Sequence, residues 1–283
     1  MTITETLRDT RAAAERGDAK AQLKLGLMYW EGQGVEQDEA QAANWFRKAA
    51  DQGDAEAQFN LGLSFEDGRG VEQDDAQAVD WYRKAADQGL ADAQTTLGLM
   101  YVKGRGVAQD HAEAVAWLRK ATDQGLATAQ TCLGWMCAEG LGVAQDYAES
   151  FNWYCKAAEQ GEAKAQFNLG AMYENGQGVA QDDAEAFNWY CKAAEQGEAK
   201  AQFNLGVMYE NGQGVTQNYA EAFNWYRKAA EQEDAFAQYN LGVMYADGRG
   251  VVQDNAKAAA WYRKAADQGN ADAQEALRQM ERR

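Results

Sequence analysis

Small and apolar residues recur along this chain in a fixed order, and the order returns every 36 residues. The unit starts at Gly17 and returns without insertion at residues 53, 89, 125, 161, 197 and 233. It runs out at Gln268, and half a unit follows from Gly269. Each unit predicts two helices. Over residues 19–31, Ala21, Leu25 and Tyr29 fall at four-residue spacing, which is one helical face. The stretch EGQGVEQD (residues 31–38) is rich in glycine and reads as a turn. Over residues 39–51, Ala42, Phe46, Ala49 and Ala50 mark one face of a second helix.

The helix ends are written into the same pattern. Asp38 with Gln41 reads as a capping box, in which two side chains satisfy two free amides reciprocally. Asp74/Gln77, Asp110/Glu113, Asp146/Glu149, Asp182/Glu185 and Asn218/Glu221 repeat it, and Asp254/Lys257 is an incomplete copy. Lys48 and its equivalents lie in the last turn, where positive charge suits the helix dipole. Gly53 and its equivalents are expected to end the second helix in the left-handed conformation. Glu233 alone replaces glycine at a unit start, so it must adopt that conformation or alter the connection.

Gly26 recurs inside every first helix, as Gly62, Gly98, Gly134, Gly170, Gly206 and Gly242. A mid-helix glycine costs about 1 kcal/mol relative to alanine. The repeated cost predicts that a neighbouring helix comes close to the backbone there. In the terminal half unit the equivalent residue is Arg278, as suits a capping helix with one side in water. The pattern therefore predicts an all-α solenoid: seven 36-residue helix–turn–helix repeats over 17–268, a capping helix at 1–16 and another at 269–283.

Composition narrows the function. The 46% of hydrophobic residues suffices for a core, and the absence of proline leaves helix interiors unbroken. The charge of −17, from 27 basic and 44 acidic residues, has the wrong sign for nucleic acid or anionic membrane. It suits basic partners. The start MTITETLRDTRAAAERGD lacks the apolar core of a signal peptide, and no stretch has the length of a membrane span. The expected location is the cytoplasm, without membrane insertion.

Catalytic chemistry finds little support. His111 has no Cys, Asp or Glu at ligand spacing, so no metal site is expected. The G-x-G pairs lack a third glycine, a preceding strand and a P-loop lysine, and read as turn glycines. The serines, Ser64 and Ser150, have no base and start no S-x-x-K motif. The acids recur with the repeat, as a solvated face does. No cofactor is implied, and the protein is not expected to be an enzyme. Cys132, Cys137, Cys155 and Cys191 are expected to be free thiols, because stacked helices stand roughly 8–10 Å apart and a disulfide needs closer alpha-carbons. Seven tryptophans, Trp45 and its equivalents, share one register and read as helix packing. Trp30 and Trp135 fall outside it.

The motif A-x-A-Q-x-x-L-G-x-M-Y-x-x-G-x-G-V followed by A-x-x-W-Y-x-K-A-A-x-Q-G resembles the Sel-one-like repeat family, relatives of the tetratricopeptide repeats. The resemblance covers 17–283. It implies a right-handed superhelix of antiparallel helix pairs and adaptor or scaffold roles in protein complexes. A secreted branch of the family carries one disulfide per repeat. The matching positions here, Gln22, Ala50 and their equivalents, hold no cysteine. Tetratricopeptide carboxylate clamps use an asparagine after the helix glycine, where this chain has Leu27, Leu63, Leu99, Trp135, Ala171, Val207 and Val243.

In such a superhelix the first helices are expected to line the concave wall. One row there runs Leu23, Phe59, Thr95, Thr131, Phe167, Phe203, Tyr239. The next runs from Leu27 to Val243 as above. A third, Glu31, Asp67, Lys103, Glu139, Asn175, Asn211, Asp247, is largely acidic. An apolar trough with an acidic margin suits a basic, amphipathic segment of a partner protein or peptide. The partner-binding residues expected are Phe59, Leu63, Leu99, Trp135, Glu139, Phe167, Phe203, Val207, Tyr239 and Val243. Alternative readings are a regulatory or inhibitory subunit of a separately encoded enzyme, a cell-wall-fragment hydrolase, and self-assembly through the end helices.

Overall fold

The structure is a computed structural model that describes the backbone of residues 3–281 and the side chains of residues 7–280. Residues 1–2 and 282–283 of the expected caps lie outside the described residues. The described residues form sixteen α-helices and no strand. α1 (Ile3–Glu15) precedes the pairs. The first helices of the pairs are α2 (Ala19–Glu31), α4 (Ala55–Asp67), α6 (Ala91–Lys103), α8 (Ala127–Glu139), α10 (Ala163–Asn175), α12 (Ala199–Asn211) and α14 (Ala235–Asp247). The second helices are α3 (Glu39–Asp51), α5 (Asp75–Asp87), α7 (His111–Thr122), α9 (Tyr147–Glu159), α11 (Asp183–Glu195), α13 (Tyr219–Glu231) and α15 (Asn255–Asp267), and α16 (Ala271–Glu281) follows. Within α1–α8 and within α9–α16, helices adjacent in sequence pack on each other, and the fold is an all-α solenoid. Two compact units result, one up to Gln145 with α1–α8 and one from Asp146 with α9–α16.

The second-helix face is the one the pattern predicts: Ala42, Phe46, Ala49 and Ala50 are all buried. The first-helix face is the predicted one, and wider: Leu25 is buried, and Ala57, Ala93, Ala129, Ala165, Ala201 and Ala237, in the position of the half-buried Ala21, are fully buried. Tyr29 is half-buried, and Gln22, Gly26 and Met28 complete the buried stripe. Gln22 is in that stripe because its polar atoms are satisfied. Its amide nitrogen donates to the Ala14 carbonyl (3.0 Å), and its oxygen accepts from Gln52 (2.7 Å). The relay recurs at Gln58, Gln94, Gln166, Gln202 and Gln238. Buried amides fully paired in this way fix the register between successive helices.

The mid-helix glycines are where second helices touch down. A Cβ on Gly26 would stand 2.6 Å from the Phe46 ring, one on Gly62 2.5 Å from Tyr82, and one on Gly170 2.7 Å from Tyr190. The aromatic ring of the second helix lies on bare backbone, and the packing there offsets the helix-propensity cost. Tyr82, Tyr190 and Tyr226 are fully buried, and each donates its hydroxyl to a carboxylate: Glu66 (2.6 Å), Glu174 (2.6 Å) and Glu210 (2.8 Å). Burial first, and then the hydrogen-bonded glutamate, hold these phenols protonated far above the usual tyrosine range.

The helix starts differ from the reciprocal capping box in one respect. Asp38 accepts from the Gln41 amide (2.9 Å), as expected. Its own amide, however, donates to the Tyr29 carbonyl (3.0 Å), and Asp74, Asp110, Asp182, Asn218 and Asp254 bond back to their first helices in the same way. The return half of the box is therefore made by backbone. The loop is thereby pinned to the end of the first helix.

Gly53 and the other unit-start glycines adopt positive φ as expected, and Glu233 follows them at φ 66. It is the one non-glycine residue with positive φ among the described residues. The connection is unaltered, since Asp234 reaches back to Ala229 (3.2 Å) just as Asp54 reaches Ala49 (3.2 Å). The strain is therefore local. Glu233→Gly should raise stability by about 0.5–1 kcal/mol, the left-handed penalty less the added chain entropy of glycine. Thermal denaturation checks this, and a lower midpoint would mean that Glu233 makes a stabilising contact.

Candidate binding surface

Among the described residues no group of three His, Cys, Asp or Glu side chains is placed to hold a metal ion. No helix is long and apolar enough to cross a membrane. Ser64 and Ser150 are fully buried, with the Ser64 hydroxyl donating to the Asn60 carbonyl (3.0 Å). The four cysteines are free thiols. Burial, with nearby Glu195 second, pushes the Cys191 thiol up to about 11, and burial and Glu159 raise that of Cys155. Both are held in the protonated, weakly nucleophilic form.

The seven in-register tryptophans are packing residues with a polar cover. Each carries the lysine three positions on over its ring, from Lys48 on Trp45 (3.8 Å) to Lys264 on Trp261 (4.4 Å). The lysine at the end of the second helix therefore serves the indole as well as the dipole. Trp30 is also accounted for. Its ring stands 6.1 Å from Phe46, and the Arg69 guanidinium lies 3.7 Å above it while pairing with Glu39 (2.7 Å).

That arginine belongs to a set of contacts between successive pairs. Arg105 binds Asp75 through two nitrogens (2.7 and 3.2 Å) and reaches Glu66 (2.9 Å), the acceptor of Tyr82. Gln213 makes the corresponding bond to Asp183 (3.3 Å). Arg249 binds Glu210 and Asp247 (both 2.9 Å), but Tyr219 stands in the position of Glu39, Asp75 and Asp183, and the buried Arg249 Nε has no partner.

The expected partner-binding residues fall into three environments. In the first row Leu23, Thr95 and Thr131 are buried, while Phe59, Phe167, Phe203 and Tyr239 are half-buried. Those four rings stack at 5.5–5.8 Å on Tyr82, Tyr190, Tyr226 and Tyr262. They support the core and show one edge. In the second row Leu63, Leu99, Val207 and Val243 are half-buried, whereas Trp135 is 39% exposed. The third row, Glu139 included, is exposed. Cys137, in the position of Tyr29 and Phe65, is fully buried. The first unit presents Phe59, Leu63, Leu99, Trp135 and Glu139. The second presents Phe167, Phe203, Val207, Tyr239 and Val243.

One exposed aromatic was not anticipated. Phe236 is 64% exposed, and its ring lies 6.2 Å from that of Phe203. The equivalent positions are Lys20, Glu56, Asp92, Thr128, Lys164 and Lys200, so the departure from polar residues was visible in the sequence.

Helix pairs repeated in register define an α-solenoid repeat protein. The family model for the Sel1 repeat matches seven consecutive segments, 19–54, 55–90, 91–126, 127–162, 163–198, 199–234 and 235–270. The chain belongs to the Sel1 repeat family. It is similar to c5321, a protective antigen of uropathogenic Escherichia coli with an SLR fold, at 45% identity and a TM-score of 0.87 over 96% of this chain. It spans 58% of that protein's length. A Sel1 repeat protein from Oxalobacter formigenes is 40% identical, with a TM-score of 0.81, over 98% of this chain and 80% of that one. Yeast Tom70, 14% identical with a TM-score of 0.55 over 99% of this chain and 59% of that one, shares the fold alone. No curated protein matches significantly. Sel1 repeat proteins and related solenoids are generally protein-interaction scaffolds, and the fold is typically non-catalytic.

Proposed function

We propose that this protein is a non-enzymatic interaction scaffold of the cytoplasm. It binds a basic, amphipathic segment of another protein on the concave wall lined by its first helices. The carrying observation is Trp135. At 39% exposure it is the open member of a row whose other leucines and valines are half-buried. Tryptophan is among the commonest energetic anchors of interfaces. Glu139 lies one turn further along α8 and is also exposed, so a ring and a charge are offered together. The charge of −17 favours a basic partner over nucleic acid. The four free thiols fit a reducing compartment. The complete burial of both serines speaks against a serine hydrolase.

Affinity purification from the native cell with crosslinking identifies the partner, and Trp135→Ala then tests the anchor. Capture should be lost, with a stability loss below about 1 kcal/mol, as for an exposed site. A core tryptophan would cost about 3–5 kcal/mol. Undiminished capture by the folded variant would falsify the anchor.

A further inference from the structure

Phe236 stands in the first turn of α14, where the other first helices carry lysine, acid or threonine. A phenylalanine 64% open to water keeps most of its apolar surface unburied. The ring is nevertheless not isolated. Phe203 backs it at 6.2 Å and is itself stacked on Tyr226 at 5.8 Å, and Tyr239 lies one turn along the same helix on Tyr262. The result is a supported aromatic platform within the second unit.

Charge around the platform is asymmetric. On α16, Asp272 and Glu275 occupy the register positions of Phe236 and Tyr239. Asp272 is exposed, and its carboxylate is close enough to help raise the Tyr239 hydroxyl, after burial and ahead of Asp247. Glu275 is already paired with Arg278 at 2.8 Å. Lys200, on α12, marks the opposite side. A ligand with one cationic end is therefore directed toward α16. An aromatic face beside a carboxylate is the arrangement a guanidinium takes, by stacking on the ring and pairing with the acid. The first unit holds one of its own arginines in this way, with Arg69 3.7 Å over Trp30 and 2.7 Å from Glu39.

We propose that Phe203, Phe236 and Tyr239, together with Asp272, form a docking site for an arginine-bearing linear segment of a partner protein. The site rests on the interaction-scaffold reading and adds a contact surface in the second unit, separate from Trp135. The apolar neighbours of the arginine cover Phe236, and its guanidinium lies between Tyr239 and Asp272.

The test is an NMR titration of the full-length labelled chain with the peptide acetyl-Leu-Arg-Leu-Leu-Arg-Leu-amide, beside its lysine counterpart. Saturable shifts are expected in α12, α14 and the start of α16. Phe236→Lys, which restores the residue found at Lys164 and Lys200, should weaken binding by roughly tenfold, as for an interface anchor. Asp272→Asn should weaken it by about threefold or more, and the lysine peptide should bind more weakly than the arginine one. Trp135→Ala should leave these shifts unchanged. Shifts clustered round Trp135 and indifferent to Phe236→Lys overturn this site and leave the scaffold reading standing. Equal affinity for the two peptides overturns the guanidinium assignment. If neither peptide saturates, the site is refuted, while partner capture through Trp135 still judges the scaffold reading on its own.

Discussion

Gly214→Ala should destabilise the protein by about 3 kcal/mol, whereas Gly197→Ala should cost only about 1 kcal/mol. Both glycines have positive φ, 66 and 94. A side chain at either incurs left-handed strain of about 1–2 kcal/mol. Their surroundings separate them. Around a Cβ on Gly197 there is nothing within 4 Å. A Cβ on Gly214 would overlap the backbone carbonyl of Asp183, at the start of α11 in the preceding pair. Backbone cannot swing aside as a side chain can, so the loop must lift off the helix beneath it, at a further cost of about 1–3 kcal/mol. Gly70, Gly106, Gly142, Gly178 and Gly250 make the same approach to Glu39, Asp75, His111, Tyr147 and Tyr219. Thermal midpoints, with hydrogen exchange of the amides at the start of α11, measure the difference. Equal losses in the two variants would show that conformational strain alone is at work.

Inside the first helices the expected outcome depends on which ring or chain lies opposite. Gly206→Ala should lose up to about 2 kcal/mol. The new Cβ would overlap the Tyr226 ring, which is 1% exposed and tethered to Glu210 at 2.8 Å, so it has no room to turn. Overpacking of this kind costs about 1–3 kcal/mol, against about 1 kcal/mol gained in helix propensity. Gly98→Ala should instead be close to neutral. Leu118 replaces the aromatic there, and the added Cβ would lie 3.0 Å from its Cγ and 3.2 Å from the Ala114 carbonyl oxygen, tight contacts rather than the overlap met at Gly206, relieved by small shifts of side chain and helix. Combining Gly206→Ala with Tyr226→Leu should cost less than the two single changes added together, since the pair is in contact. Additive losses in urea denaturation would remove the steric explanation.

The sequence already contained every helix, because the unit of 36 residues carries its own caps, turns and apolar faces in each copy. Other features were legible only in part. The mid-helix glycine pointed to a close approach, but only the packed pair showed that the approaching group is the aromatic ring of the same pair. The capping box was half right, since a box and a backbone return bond look alike in sequence. The full width of the first-helix face was not readable, because Gln22 scores as polar until its two hydrogen-bond partners are in place.

The candidate surface divides along the same line. Its rows follow from periodicity alone, and so does the acidic margin. Which members of a row are open to a partner does not, because exposure depends on what the neighbouring helix lays over each position. Phe59, Phe167, Phe203 and Tyr239 read as free aromatics but lie against the tyrosines of their own second helices. Trp30, which broke the pattern as Trp135 does, is covered by Arg69, while Trp135 stays open. The sequence by itself therefore determined the repeat, its helices and its family, since these rest on local spacing that each unit restates. The tertiary structure alone decided which apolar residues are core and which stay open to solvent, because burial is set by contacts between helices that no single unit contains.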